Sequence, residues 1–205
     1  KSASASMSSR GTSRSVWLAA KPKALVMTSD IRWDLPSDGH TYPIYAGPVD
    51  DLDRVAEFAD ERGVQHLRFG GDSWKLNADD GPVASAETPT GTWTATGNAK
   101  KFSSSKRVEI SADRHDIAIV AGEKRHFDLE IDGERAGQFS GENRGIRKLH
   151  VEFEGPGQKL PLDVQIFVSW VARRCLETRM LRMTNMLTIT LAICVVIAVV
   201  VWFSG

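Results

Sequence analysis

The sequence is poor in cysteine and carries no excess of charge of either sign. Cys175 and Cys194 are its only cysteines, too few for a disulfide framework or a zinc site built from cysteines. Lysine and arginine number 26, and aspartate and glutamate also number 26, so no overall surplus indicates nucleic acid or an acidic substrate as the partner. With 41% hydrophobic and 25% charged residues, the composition is typical of a globular chain and excludes collagen-like or wholly disordered proteins.

The sequence also lacks a recognisable catalytic or metal-binding motif. None of its five histidines pairs with another ligand type at the helical spacings i, i+3 or i, i+4. We interpret His126 and His150, which fall on polar positions of predicted strands, as surface histidines. Gly70 and Gly71 are not followed by Lys-Ser or Lys-Thr, so no phosphate loop is predicted. We therefore expect no enzyme activity, no cofactor and no metal site.

The even total charge conceals three regions of different sign. Residues 1–24 contain 5 basic and no acidic residues, residues 25–95 contain 13 acids and 5 bases, and residues 96–205 contain 16 bases and 13 acids. The first region is rich in serine and poor in large apolar side chains, which predicts a flexible arm because it cannot bury enough surface to fold. An organellar transit peptide is the alternative for this arm. No secretory signal is expected, since no apolar run follows the early positive charges.

Residues 25–160 are predicted to form an antiparallel β domain that contains one helix. The helix is expected at residues 50–62, because aspartates fill its first turn and Leu52, Val55 and Phe58 share one face. These aspartates are not accompanied by the glycine and terminal glutamate of a calcium loop. We interpret them as complements of the helix dipole.

From residue 64 to residue 153, short alternating runs separated by turn residues are typical of antiparallel strands. Residues 126–131 alternate strictly, and Asp132-Gly133 then predicts a type I′ turn into residues 134–139. A second turn is predicted at Asp80-Gly81. The other predicted strands are residues 74–76, 83–85, 107–110, 116–120 and 148–153. About eight strands with one apolar side are expected to curl into a closed or nearly closed barrel, since closure removes exposed strand edges.

The strongest pattern is a C-terminal stretch of more than 40 residues without glycine or proline, which begins after Pro161 and predicts helix. Within residues 162–176 the polar side chains form one narrow stripe, and every other side of the helix is apolar. The apolar centre, residues 164–172, is about half of the roughly 20 residues needed to cross a bilayer. We therefore expect this part of the helix to be buried inside the barrel.

The rest of the stretch predicts a basic connector, up to residue 182, and then a single transmembrane anchor at residues 183–205. Residues 186–203 are 18 consecutive residues without a charge. At about 1.5 Å per residue they span roughly 27 Å, which with a flanking turn matches a hydrocarbon core of about 30 Å. The arginines that precede the anchor place the barrel on the cytoplasmic side, of the plasma membrane or of an organelle. A helix buried in a large complex, or two core strands, is the alternative for this segment.

The order of these elements resembles the tubby C-terminal-like superfamily, which includes LURP-one-related proteins and phospholipid scramblases. Residues 72–76 (DSWKL), 80–84 (DGPVA) and 160–170 (LPLDVQIFVSW) carry the resemblance, which covers roughly residues 25–179. It implies a closed antiparallel barrel of about twelve strands threaded by a hydrophobic C-terminal helix. The helix predicted at residues 50–62 and the span after the core helix depart from that pattern, and no phosphoinositide-binding or calcium-binding residue can be matched.

Two basic groups are candidates for contact with lipid head groups. The attraction of each basic side chain to an anionic surface is worth about 1 kcal/mol. They are Arg173, Arg174, Arg179 and Arg182 beside the anchor, and Lys100, Lys101, Lys106 and Arg107. The alternatives are that the arginines only set the topology and that the lysines lie in a solvated hairpin loop.

These observations predict a non-enzymatic, tail-anchored membrane protein whose barrel binds a partner protein or lipid head groups. An accessory subunit of a membrane complex would fit this description. Scramblase-like lipid transport or a lipid-responsive regulator is the alternative, although a single uncharged span offers no polar route through the bilayer.

Overall fold

The computed structural model describes residues 30–36, 38–48, 51–79, 81–123, 125–141 and 148–204, without the side chains of residues 179–187, 196 and 204. The arm predicted for residues 1–24 lies outside these ranges. Twelve antiparallel strands of the described chain form a closed barrel, in which each strand pairs with its sequence neighbours and the last pairs with the first. The strands are β1 (Asp30–Trp33), β2 (Thr41–Ala46), β3 (Asp53–Glu61), β4 (Val64–Phe69), β5 (Asp72–Ala78), β6 (Val83–Thr88), β7 (Gly91–Gly97), β8 (Arg107–Ala112), β9 (His115–Ala121), β10 (His126–Ile131), β11 (Glu134–Ser140) and β12 (His150–Phe153).

The helical elements follow the barrel or lie between its strands. Within the described ranges, two short 3-10 helices occupy Phe102–Ser104, between β7 and β8, and Gly155–Lys159, after β12. One long α-helix, α1 (Leu162–Ser204), then begins one residue after Pro161. The mainly β fold, the closed antiparallel barrel and the C-terminal helix predicted from the sequence are confirmed, with twelve strands in place of about eight.

The hairpin between β10 and β11 forms as predicted. Asp132 and Gly133 both have a positive φ, of 52° and 79°, as a type I′ turn requires. Ile131 pairs with Glu134 directly across this turn. Asp-Gly suits the turn because glycine adopts a positive φ without a steric penalty and aspartate tolerates it better than most residues.

The helix predicted at residues 50–62 is wrong, because most of this segment forms β3. Ala56 and Phe58 face the core, while Glu57 between them faces outward. β3 pairs with β2 on one side and with β4 on the other, so it supplies backbone hydrogen bonds to both neighbours. A helix here would leave two unpaired strand edges, a cost that exceeds propensity differences of less than about 1 kcal/mol per residue. Asp51 and Asp53 therefore cap no helix, and Asp50 lies outside the described residues.

The interior of the barrel is filled by the first part of α1. Val164, Phe167 and Trp170 are each at most 1% exposed and belong to one cluster with inward-facing residues of the strands. A chain of ring contacts joins wall and helix: Trp74 meets Trp93 at 5.2 Å, and Trp93 meets Phe167 at 5.6 Å between centroids. This confirms the prediction that the first part of the helix is buried in the barrel.

The narrow polar stripe of this buried helix is hydrogen-bonded inside the protein. The Trp33 indole N–H donates to Ser169 Oγ at 3.0 Å, and Ser169 donates to the backbone oxygen of Ile166 at 2.7 Å. The Gln165 amide donates to the backbone oxygens of Gly157 and Leu160, at 3.3 and 3.1 Å. Buried polar groups are tolerated when they find such partners, so the stripe holds α1 in one register within the barrel.

We expect Trp170→Asp to abolish cooperative folding of the barrel, because it places an unpaired charge where a large ring is buried. Trp170→Ala should lower the free energy of unfolding by about 3–5 kcal/mol through the cavity it leaves. Near-ultraviolet circular dichroism during urea denaturation, in mild detergent, measures both effects. Ser73→Asp on exposed β5, opposite Arg68, is the control and should unfold like the wild type; a Trp170→Asp protein with an unchanged midpoint would contradict the buried position.

Candidate functional site

The topology sorts the strand connections into two ends of the barrel. Because neighbouring strands are antiparallel, the connections β1–β2, β3–β4, β5–β6, β7–β8, β9–β10 and β11–β12 lie at one end. α1 enters at the other end, where Gln165 bonds the loop that follows β12. It leaves at the first end, where Arg174 donates to the backbone oxygen of Asp79 in the β5–β6 connection, at 3.2 Å. We call this first end, with its six connections, the exit end.

The β7–β8 connection presents three lysines at the exit end. Lys100, Lys101 and Lys106 are exposed, and none of them forms an ion pair within the described part of the chain. Phe102, only 4% exposed, fixes the connection against α1. The Asn98 side chain accepts hydrogen bonds from the backbone N–H groups of Lys106 and Arg107, at 3.0 and 3.3 Å. The lysines are thus held outward by an ordered loop next to the departing helix.

Arg107, also predicted to contact head groups, is half-buried and paired with acids of the barrel wall. Its guanidinium donates to Glu109 at 2.5 Å and to Glu130 at 2.7 Å. These hydrogen bonds raise the pKa of Arg107 further above its usual value. Since two carboxylates already surround this cation, it adds little positive potential to the exit end.

Arg173 does not lie where the prediction of a head-group contact requires. It is 6% exposed, and its guanidinium carbon lies 4.9, 4.1 and 5.5 Å from the ring centroids of Trp33, Tyr42 and Phe58. Its Nε donates to Glu177 one turn later, at 2.7 Å. This correction has a simple physical cause: a buried cation is stabilised by aromatic faces and one carboxylate, so Arg173 closes the mouth of the barrel instead of facing lipid.

The other arginines of the predicted group are placed only in part. Arg174 is half-buried and bonded to Asp79 at the exit end. Arg179 and Arg182 belong to α1, but their side chains lie outside the described part of the structure. The structure therefore brings the lysine group and the helix with its arginines to the same end of the barrel, a proximity that the sequence pattern left open.

Sequence reasoning missed three exposed apolar residues at the exit end. Leu35 follows β1, Val64 opens β4 and Val83 opens β6, with 48%, 46% and 45% of their surface exposed. Each is a single apolar residue beside a turn, a weak signal that gains meaning only when the topology places all three at one end. Before β2, the backbone N–H groups of His40 and Thr41 donate to the Asp38 carboxylate, at 2.8 and 2.7 Å, and hold its pKa well below the usual value.

An open groove of about 980 Å³ crosses the outside of β1, β11 and β12. Most of its polar side chains have partners within the barrel wall. His150 Nε2 lies 2.9 Å from Asp30, Lys148 lies 3.4 Å from Asp34, and Gln138 donates to Glu152 at 2.7 Å. Within the described residues, no three His, Cys, Asp or Glu side chains come together in a metal-binding group. With its charges cancelled internally, the groove favours no particular class of ligand.

Comparison with known proteins adds no assignment to this geometry. No family model, no curated protein and no solved structure matches the chain. The resemblance to the tubby C-terminal-like superfamily therefore stays a prediction from the sequence pattern. Over the side chains that the structure describes, no helical segment has both the length and the apolar character of a membrane span.

We expect Arg173→Gln to lower the free energy of unfolding by about 2 kcal/mol, the scale of a desolvated cation–π contact. It should leave affinity for vesicles that contain phosphatidylserine unchanged, because the side chain faces aromatic rings and not the surface. Urea denaturation and vesicle co-sedimentation measure the two effects. Arg114→Gln, an exposed position in the turn between β8 and β9, is the matched control for charge. Weaker vesicle binding without loss of stability would instead mean that Arg173 contacts lipid head groups.

Proposed function

We propose that this protein is a non-enzymatic, single-pass membrane protein whose barrel holds a binding surface against the lipid head groups. The observation that carries the proposal is the last part of α1. From residue 188 onward, every described side chain of the helix is exposed, including Ile189 at 61% and Phe203 at 84%. These positions point in all directions around the helix axis, so no polar face is left for water.

An apolar helix outside the barrel needs a nonaqueous surrounding. Ten of its large apolar side chains are exposed, and burial of each is worth about 1.5–3 kcal/mol. In the sequence, residues 183–203 contain no charge. The length of this uncharged run is close to the roughly 20 residues that cross a hydrocarbon core. Lipid is therefore the surrounding that we propose for this segment. The arginines that precede it favour the cytoplasmic side for the barrel.

The exit end is the part of the barrel that such an anchor brings to the membrane. Lys100, Lys101 and Lys106 would then face the head-group layer, each contributing about 1 kcal/mol at an anionic surface. The alternative ligand is a membrane protein whose partner surface lies at the same depth. We also propose membership in the tubby C-terminal-like superfamily, which is supported by the twelve strands that enclose a hydrophobic C-terminal helix.

Two lysines in the middle of the proposed span should release the protein from membranes. We expect Ile193→Lys/Ile197→Lys to make most of the full chain extractable by alkaline carbonate, because each charge costs about 2.5–3.5 kcal/mol at the centre of a bilayer. Immunoblots of the pellet and supernatant measure the shift. The control Ser73→Lys/Thr92→Lys adds the same charge at exposed strand positions and should stay in the pellet. A wild-type chain that carbonate extracts completely would refute the anchor.

The lysines of the exit end should determine preference for anionic lipid. In the full chain that carries Ile193→Lys/Ile197→Lys, we expect Lys100→Gln/Lys101→Gln/Lys106→Gln to weaken binding to phosphatidylserine vesicles by about 3 kcal/mol, roughly a hundredfold. Co-sedimentation at several lipid concentrations gives the affinities.

The matched control for this experiment removes the same number of charges away from the exit end. Lys75, Arg114 and Lys159 are all exposed, in β5, in the β8–β9 turn and before α1. Their combined change to glutamine should leave affinity nearly unchanged. Equal losses in the two triple variants would mean that only net charge matters and that the exit end has no special role.

A further inference from the structure

The exposed large apolar side chains of the barrel are concentrated at one end. Within the described barrel residues these are Leu35, Val64 and Val83, and all three belong to the exit end. The turns at the opposite end instead expose small or polar residues, such as Thr90 and Arg114. Single exposed apolar residues are ordinary on protein surfaces, but their restriction to the end from which an apolar helix departs is a directional pattern.

The distance along α1 places this end close to the head groups, if the helix is anchored as proposed. Glu177 and Thr178 are still half-buried, so the barrel reaches their level on the helix. The uncharged run begins at residue 183, five residues further, which is about 7.5 Å at the helical rise. One head-group layer is about 5–8 Å thick. The connector is therefore only long enough to cross the head groups.

The three apolar residues and the three lysines lie on different connections around α1. The apolar residues belong to the connections of β1 to β6, and the lysines belong to the β7–β8 connection. Two acids on these connections are paired within the barrel: Asp34 lies 3.4 Å from Lys148, and Glu61 lies 3.5 Å from Arg68. Two others, Asp38 and Asp79, are exposed and accept backbone N–H hydrogen bonds. The ion pairs reduce the repulsion that Asp34 and Glu61 would feel from an anionic surface.

We propose that the barrel stands end-on on the bilayer and that Leu35, Val64 and Val83 enter the head-group region as a second membrane contact beside the anchor. This inference rests on the proposed anchor, and its occupant is the lipid interface itself. Apolar residues would supply insertion along three connections, and the lysines of the adjoining β7–β8 connection would supply electrostatic attraction. The barrel axis would then lie along the membrane normal, and the β10–β11 turn would face away from the bilayer.

Site-specific fluorescence tests this orientation in the full chain. Single cysteines at positions 35, 64 and 83 are introduced into the Cys175→Ala/Cys194→Ser chain and labelled with an environment-sensitive dye. The labelled proteins are reconstituted into phosphatidylserine vesicles that contain a nitroxide lipid labelled near the head group. We expect a blue shift and strong quenching at all three positions. Thr90→Cys and Lys159→Cys at the opposite end should show neither effect, and Ile197→Cys should be quenched by a nitroxide placed on the acyl chain.

The outcomes separate this inference from the anchor on which it rests. Quenching at position 197 with none at positions 35, 64 and 83 overturns the end-on contact and leaves the anchor standing. An unquenched label at position 197 overturns both. Equal quenching at the two ends of the barrel overturns the orientation. Protection of the exit-end labels in native membranes but not in pure lipid vesicles would show that a protein covers this end, which also overturns the proposed lipid contact.

Discussion

The structure depends on the burial of a helix inside a closed sheet. Twelve strands can close around α1 because Phe167 and Trp170 fill the space that the inward-facing strand residues leave. The helix in turn has nearly no polar surface in this part, and it is stable only because the barrel excludes water from all sides. Its few polar groups bond inside the wall, as Ser169 does with Trp33. Without the helix, the barrel wall would expose its apolar inner face to water, and without the barrel the helix would expose its apolar surface.

One continuous helix links this core to the surface at which we propose that the protein works. α1 begins among the strands, passes Arg173 beneath three aromatic rings at the mouth of the barrel, and continues beyond the exit end. A cation at that boundary is stabilised by ring faces on the inner side and by Glu177 on the outer side. Because α1 is one continuous helix, its two parts keep a fixed distance along the helix axis. The barrel therefore stays close to whatever surrounds the last part of α1. The connections of the exit end are therefore the ones that we propose for binding.

Much of the fold was predictable where the local residue pattern favours the same structure that the tertiary contacts require. The strict alternation of β10 and the Asp132-Gly133 turn predicted a hairpin, which forms with a shift of register between Leu129 and Glu130. Prediction failed at β3, where Leu52, Val55 and Phe58 fit a helical face, while Ala56 and Phe58 fit a strand face equally well. Such a segment takes the structure that its neighbours require. The candidate site shows the same limit, because Lys100 was recognised as basic and exposed, whereas Leu35 has no distinguishing local pattern.

The sequence by itself determined the class of most segments: alternating runs for a sheet, an apolar helix too short for a bilayer, and a longer uncharged run after it. These properties depend on periodicity and composition, which are local. Only the tertiary structure decided that Arg173 is a core residue and that the β7–β8 lysines share an end with the departing helix. These placements depend on the closure of the barrel and on the direction of its strands, which bring together residues about seventy positions apart in the chain. No local pattern of residues records that proximity.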